Sequence, residues 1–69
     1  MSDKNEVRYK GTIVENLPGI LFRIESEGRV VLGYLSGKMR QNRIGVGIGD
    51  EVLFVMPPNA AQARIVRRV

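Results

Sequence analysis

The chain contains no cysteine, no histidine and no tryptophan. Without cysteine there is no disulfide, and thiol redox chemistry is excluded. With histidine missing as well, the usual zinc and copper ligand sets and His-based nucleophilic triads have nothing to be built from. Aromatic residues are scarce, with only Tyr9, Phe22, Tyr34 and Phe54 present. No apolar run approaches the ~20 residues needed to span a bilayer. The opening MSDKNEVRYK is polar and mixed in charge, unlike a signal or transit peptide, so the expected location is the cytoplasm. The 69 residues suffice for one small domain. Such a chain buries only about 60% of its unfolded surface.

Acidic residues are also few, and what is present is unevenly spread. Seven acids face eleven bases, giving a net charge of +4. Residues 1–28 carry four bases and five acids, a net of −1, whereas residues 29–69 carry seven bases and two acids, a net of +5. Positive charge gathered in one half of a small chain attracts polyanions, most simply nucleic acid. Ordinary solubility is the alternative explanation.

The hydrophobic pattern is that of strands. Residues 1–5 are expected to be a flexible N-terminus before a single domain over 6–69. In EVRYKGTIVEN, Val7, Tyr9 and Ile13 share a parity, which is the period of a half-buried strand. Gly11 inside it suggests a bulge or bend of the kind a small barrel needs. LPG at 17–19 signals a turn. ILFRIES follows, with Ile20, Phe22 and Ile24 on one side and Arg23 and Glu25 on the other. A tight turn at Glu27-Gly28 leads into RVVLGYL, completing an antiparallel meander.

Next comes SGKMRQNRI, residues 36–44, with Lys38, Arg40 and Arg43 and no acid. Ser36 suits a helix N-cap, and Lys, Met, Arg and Gln are good helix formers. The spacing predicts a short helix with Met39 packed beneath it. Arg40 and Arg43, three apart, would then share a face. GVGIG reads as a flexible loop, with Asp50 tying down the turn after Gly49. VLFVM is a fourth strand. PPNAAQ is a connector, since proline cannot donate to a central ladder. ARIVRRV is a fifth strand, with Ile65 on one side and Arg64, Val66 and Arg68 on the other.

Five short strands in so small a chain must not leave long apolar edges, and closure into a barrel removes them. The predicted fold is all-β: a five-stranded antiparallel OB-fold barrel with one short helix between strands 3 and 4.

Three separated stretches, GTIVENLPGILFRIE, GYLSGKMRQNRI and GDEVLF, closely resemble bacterial translation initiation factor one, over roughly residues 6–69. The resemblance implies an OB-fold protein that is not an enzyme and needs no cofactor. It implies binding to the small ribosomal subunit at the A site through a basic surface, against decoding-site RNA and a neighbouring ribosomal protein. There it would block premature tRNA entry and assist the other initiation factors. Gly37, Lys38 and Arg40 match family residues near the RNA, and Arg64 matches a basic residue of the last strand. The sequence departs from the family where an aromatic usually stands at Arg43, an Arg at Gly45 and a His at Tyr34. The basic residue has thus moved two positions earlier.

The chemistry of the side chains agrees with an RNA partner. Guanidiniums at Arg40 and Arg43 can stack on a base or fork onto a phosphate, and Lys38 supplies a point charge. Tyr34 can stack, although a tyrosine ending a barrel strand is commonly half-core. Arg64, Arg67 and Arg68 are candidates too, with edge-strand charge that prevents aggregation as the alternative. The site expected from the sequence is therefore Gly37, Lys38, Arg40, Arg43, Arg64, Tyr34 and Arg67, on a monomer without metal or cofactor. Two rival readings are a cold-shock type of single-strand binder or RNA chaperone, and a protein-binding barrel. The first needs a platform of surface aromatics, and strand parity turns at least two of the four inward. GVGIGD lacks the spacing and the GK[ST] ending of a phosphate loop.

Overall fold

The computed structural model describes residues 7–69. Five strands and one helix follow in the expected order: β1 Tyr9–Leu17, β2 Leu21–Ser26, β3 Arg29–Leu35, α1 Gly37–Gln41, β4 Glu51–Val55 and β5 Ala63–Arg68. The sheet closes into a barrel in the order β1-β2-β3-β5-β4. β1 makes the closure, because Thr12 pairs with Glu25 on one side and with Glu51 on the other. The expected flexible segment 1–5, and Glu6 at the start of the expected domain, lie outside the described residues. No described helix is long and apolar enough to cross a membrane.

One seam corrects the expectation of a fully antiparallel barrel. β3 and β5 run parallel, with Gly33, Tyr34 and Leu35 opposite Ala63, Arg64 and Ile65. The reason is geometric. A closed ring of five strands cannot reverse direction at every seam, so at least one neighbouring pair must be parallel.

Alternation along the strands fills the interior. Ile13, Phe22, Ile24, Leu35, Val52, Phe54, Ala63 and Ile65 are buried together with Met39 of α1. Ile20 does not join the row of Phe22 and Ile24 as its parity suggested. It belongs to the preceding turn, at φ +56, and is 60% exposed. The turn between β2 and β3 is the two-residue hairpin expected, with Glu27 and Gly28 both at positive φ between the paired Ser26 and Arg29.

Gly11 is not the bulge. The extra residue of β1 is Val14, between the pairs Ile13–Ile24 and Glu15–Arg23. What Gly11 provides is close approach. A Cβ there would lie 2.5 Å from Ile24 Cγ2 and 2.9 Å from the Glu25 carbonyl oxygen. Gly33, on the same inward side, has Ile24 Cδ1 at 2.6 Å from a notional Cβ. Ile24 thus fills the volume that two missing side chains leave.

A second bulge falls at Val66, between the pairs Phe54–Ile65 and Leu53–Arg67. It flips the parity of the residues beyond it. Arg67 therefore faces outward, in register with Leu53 and exposed Lys10. Arg68 pairs with buried Val52 and does not share a face with Arg64, contrary to simple alternation.

Candidate nucleic-acid interface

Because β1, β3 and β5 run in one direction, whatever follows them gathers at one end of the barrel. That end holds the turn 18–20, helix α1, and the Arg67-Arg68 end of β5. The loop 44–50 also lies here, since β4 runs the opposite way. The Ser36 N–H donates to the Ile65 carbonyl at 2.9 Å and stitches the start of α1 to β5.

The helix is short, and its ends are made by named contacts. Ser36 Oγ accepts from the Met39 N–H at 3.3 Å, the N-cap that its sequence position promised. Met39 is 2% exposed and anchors the helix in the core. Lys38 and Arg40 are exposed on the opposite surface, beside Gly37. Arg43 is not on the helix, which corrects the expectation that it shares a face with Arg40. Asn42 is the C-cap, and Arg43 follows it in the left-handed region at φ +55. The Arg43 N–H donates to the Arg40 carbonyl at 3.1 Å and the Ile44 N–H to the Met39 carbonyl at 2.9 Å. This is the Schellman pattern, with arginine where glycine is the usual choice.

The loop is tied at several points. Asp50 Oδ2 accepts from the Gly47 N–H at 2.8 Å, and the Asp50 N–H donates back to the Gly47 carbonyl at 3.0 Å. Gly49, at φ +96, makes this turn possible. The Gly49 N–H reaches the Ile13 carbonyl at 2.8 Å, and the Ile13 N–H reaches the Asp50 carbonyl at 2.9 Å. Asp50 therefore holds the turn as expected.

Charge pairing sorts the cations. Arg23 lies 2.9 Å from Glu15, Lys10 lies 3.7 Å from Glu51, and Arg68 lies 4.0 Å from Asp50. Among the described residues, no carboxylate comes within ion-pairing distance of Lys38, Arg40, Arg43 or Arg67. Arg8 and Arg29 belong to the other end, where Arg29 lines a cleft of about 330 Å³ with Tyr9, Val31, Phe54 and Met56. The cation-rich end thus carries four positive charges with no anionic partner in the described chain, which leaves their field open to an external anion.

No protein-family model matches the chain. The fold, however, is that of solved proteins. The solution structure of translation initiation factor one from the Wolbachia endosymbiont strain TRS of Brugia malayi matches with a TM-score of 0.80 and 32% identity, over 99% of this chain and 83% of that one. The chain belongs to the family of translation initiation factor one. YjeQ from Thermotoga maritima shares the barrel at a TM-score of 0.74 and 25% identity, over 91% of this chain but only 23% of its own. Membership of the initiation factor family thereby extends along the whole barrel, and with it the OB-fold.

In this initiation factor chain the expected site residues divide into two groups. Gly37, Lys38, Arg40 and Arg43 lie on or just after α1. Tyr34 and Arg64 are half-buried register partners on the β3–β5 seam that leads to the helix. Arg67 stands apart, on the outer row with Leu53 and Lys10. Sequence reasoning did not find the role of Arg68. Its Nη1 donates to the Gly45 carbonyl at 3.3 Å, across 23 residues of sequence. Nothing local in the sequence signals that contact, and the bulge at Val66 is what makes it reachable.

Proposed function

We propose that this protein is a translation initiation factor that binds the small ribosomal subunit at the A site through its cation-rich end. Bound there it blocks premature tRNA entry and assists the other initiation factors. It acts in the cytoplasm by occupancy, not by making or breaking bonds, and contacts a neighbouring ribosomal protein beside the RNA. The observation that carries the reading is the set Lys38, Arg40, Arg43 and Arg67. These are exposed and lack a carboxylate partner among the described residues, in a chain of the initiation factor one family. Folded RNA presents phosphates and splayed bases, and guanidiniums answer both. The cold-shock alternative is disfavoured by the aromatics. Phe22 and Phe54 are buried, and Tyr9 stacks on Phe54 with centroids 5.6 Å apart, so no row of open rings remains.

Co-sedimentation with isolated small and large ribosomal subunits across a salt series tests this. Selective binding to the small subunit is expected, with log affinity falling against log salt at a slope of roughly −2 to −4. Arg40→Ala should lose about 1–3 kcal/mol of binding with an unchanged melting curve. Equal binding to both subunits, or full affinity in Arg40→Ala, would refute the proposal.

A further inference from the structure

We infer that Arg68 is a positioning residue: it clasps the loop 44–50 and so fixes the stretch of backbone that presents Arg43, and it does not itself contact phosphate. The inference rests on the proposed RNA-facing role of that end. Three observations lead to it. Arg68 is a cation of this end with partners inside the protein, the Gly45 carbonyl at 3.3 Å and Asp50 Oδ2 at 4.0 Å. The same Asp50 oxygen accepts the Gly47 N–H at 2.8 Å, so one guanidinium and one carboxylate hold the loop at Gly45, Gly47 and Asp50 together. Finally, the held point is close to the residue that matters. Arg43 is followed by Ile44, whose N–H is fixed to Met39, and then by Gly45, whose carbonyl is fixed by Arg68.

The loop needs such a clasp because of its composition. Gly45 and Gly47 do not adopt positive φ. A Cβ at Gly45 would meet nothing within 4 Å, so glycine there answers no steric demand and only adds freedom to the chain. A segment with that freedom loses affinity through the entropy of ordering it on binding, unless something orders it beforehand. The bulge at Val66 directs Arg68 to this task by turning it away from the face of Arg64, which simple alternation would have given it. Its guanidinium is thereby partly neutralised and committed to backbone, which separates it from Lys38, Arg40, Arg43 and Arg67, which have no acidic partner among the described residues.

A positioning role and a phosphate contact give different salt behaviour, and that difference is the test. Arg68→Met keeps much of the side-chain stem. Its small-subunit affinity should fall about tenfold, with the slope of log affinity against log salt parallel to the parent's, whereas Arg40→Ala should flatten the slope by nearly one unit. In the free protein, amide hydrogen exchange at Gly47 and Gly49 should quicken in Arg68→Met. Adding Gly45→Ala, which stiffens the loop, should recover part of the missing affinity. Asp50→Asn approaches the clasp from the loop side with β5 intact, and should show the same parallel slope and faster exchange. Unchanged exchange at Gly47 and Gly49, or a slope flattened as in Arg40→Ala, would overturn the inference. If neither the parent nor Arg40→Ala prefers the small subunit, the RNA-facing reading fails. The exchange data would then still decide whether Arg68 clasps the loop.

Discussion

Replacing Arg43 by glycine should move stability and binding in opposite directions. Arg43 sits at φ +55, and a left-handed backbone costs an L-residue roughly 1–2 kcal/mol relative to glycine. Glycine returns about 0.5–1 kcal/mol of that through the greater freedom of its unfolded chain. The two bonds that close the helix run between backbone atoms, Arg43 N–H to Arg40 and Ile44 N–H to Met39, so they survive the change. The side chain is exposed and has no carboxylate partner among the described residues, so its removal breaks no ion pair. The net expectation is a gain of about 0.5–1 kcal/mol, which in a domain of this size raises the melting temperature by roughly 2–8 °C. Binding to the small subunit should weaken at the same time, with a salt slope shallower by about 0.7–0.9 for one phosphate no longer neutralised. Thermal unfolding followed by circular dichroism reads the first effect, and co-sedimentation over a salt series reads the second. A lower melting temperature would show that the arginine is not strained at the helix end. An unchanged slope would show that it faces no phosphate.

Five other substitutions probe the scaffold. Gly11→Ala should cost about 3 kcal/mol, because the new methyl meets a backbone carbonyl that cannot yield. Gly33→Ala should cost about 1 kcal/mol, since its principal obstacle is the flexible end of Ile24. Trimming that end with Ile24→Val should be nearly neutral beside Gly33→Ala, yet cost about 0.5–1.5 kcal/mol in the parent, and a urea denaturation cycle checks the coupling. Ile20→Gly should stabilise by up to about 1 kcal/mol, as it relieves a left-handed β-branched residue that buries little; a lower urea midpoint would contradict this. Ser36→Ala should cost about 1 kcal/mol by removing the cap over Met39, again read as a shift in urea midpoint.

Much of this molecule is legible from local chemistry. The parity of Phe22 with Ile24, the turn at Glu27-Gly28, the cap at Ser36 and the burial of Met39 depend on neighbours a few residues away. That one seam must be parallel is also within reach, because the count of five strands already forbids alternation throughout a closed ring, whereas its place between β3 and β5 follows only from the strand order. What escapes depends on contacts between distant segments. Val14 and Val66 carry no mark of a bulge, yet they decide which later side chains face outward. Arg43 conceals a helix end that glycine would have announced, and spacing alone therefore puts it on the helix face with Arg40. Gly11 stands out for the right reason, an unusual residue in a strand, but its cause is the flank of Ile24 and the carbonyl of Glu25 across the barrel. Arg68 is the least visible, since its partners lie in a loop that only the closed barrel brings near.

The parallel seam also dictates when the cylinder can form. β5 inserts between β3 and β4, and it lies furthest along the chain of the five. Gly33 and its partner Ala63 are 30 residues apart (63 − 33), a loop whose closure costs roughly 3 kcal/mol in entropy. During synthesis the meander β1-β2-β3 can emerge and pair first, but it must wait as an open sheet until the final strand arrives. The segment that completes the barrel is also the one that brings Arg64 to the seam leading to the helix, Arg67 to the outer row and Arg68 to the loop 44–50. Acquiring the fold and acquiring the binding surface are therefore a single late event.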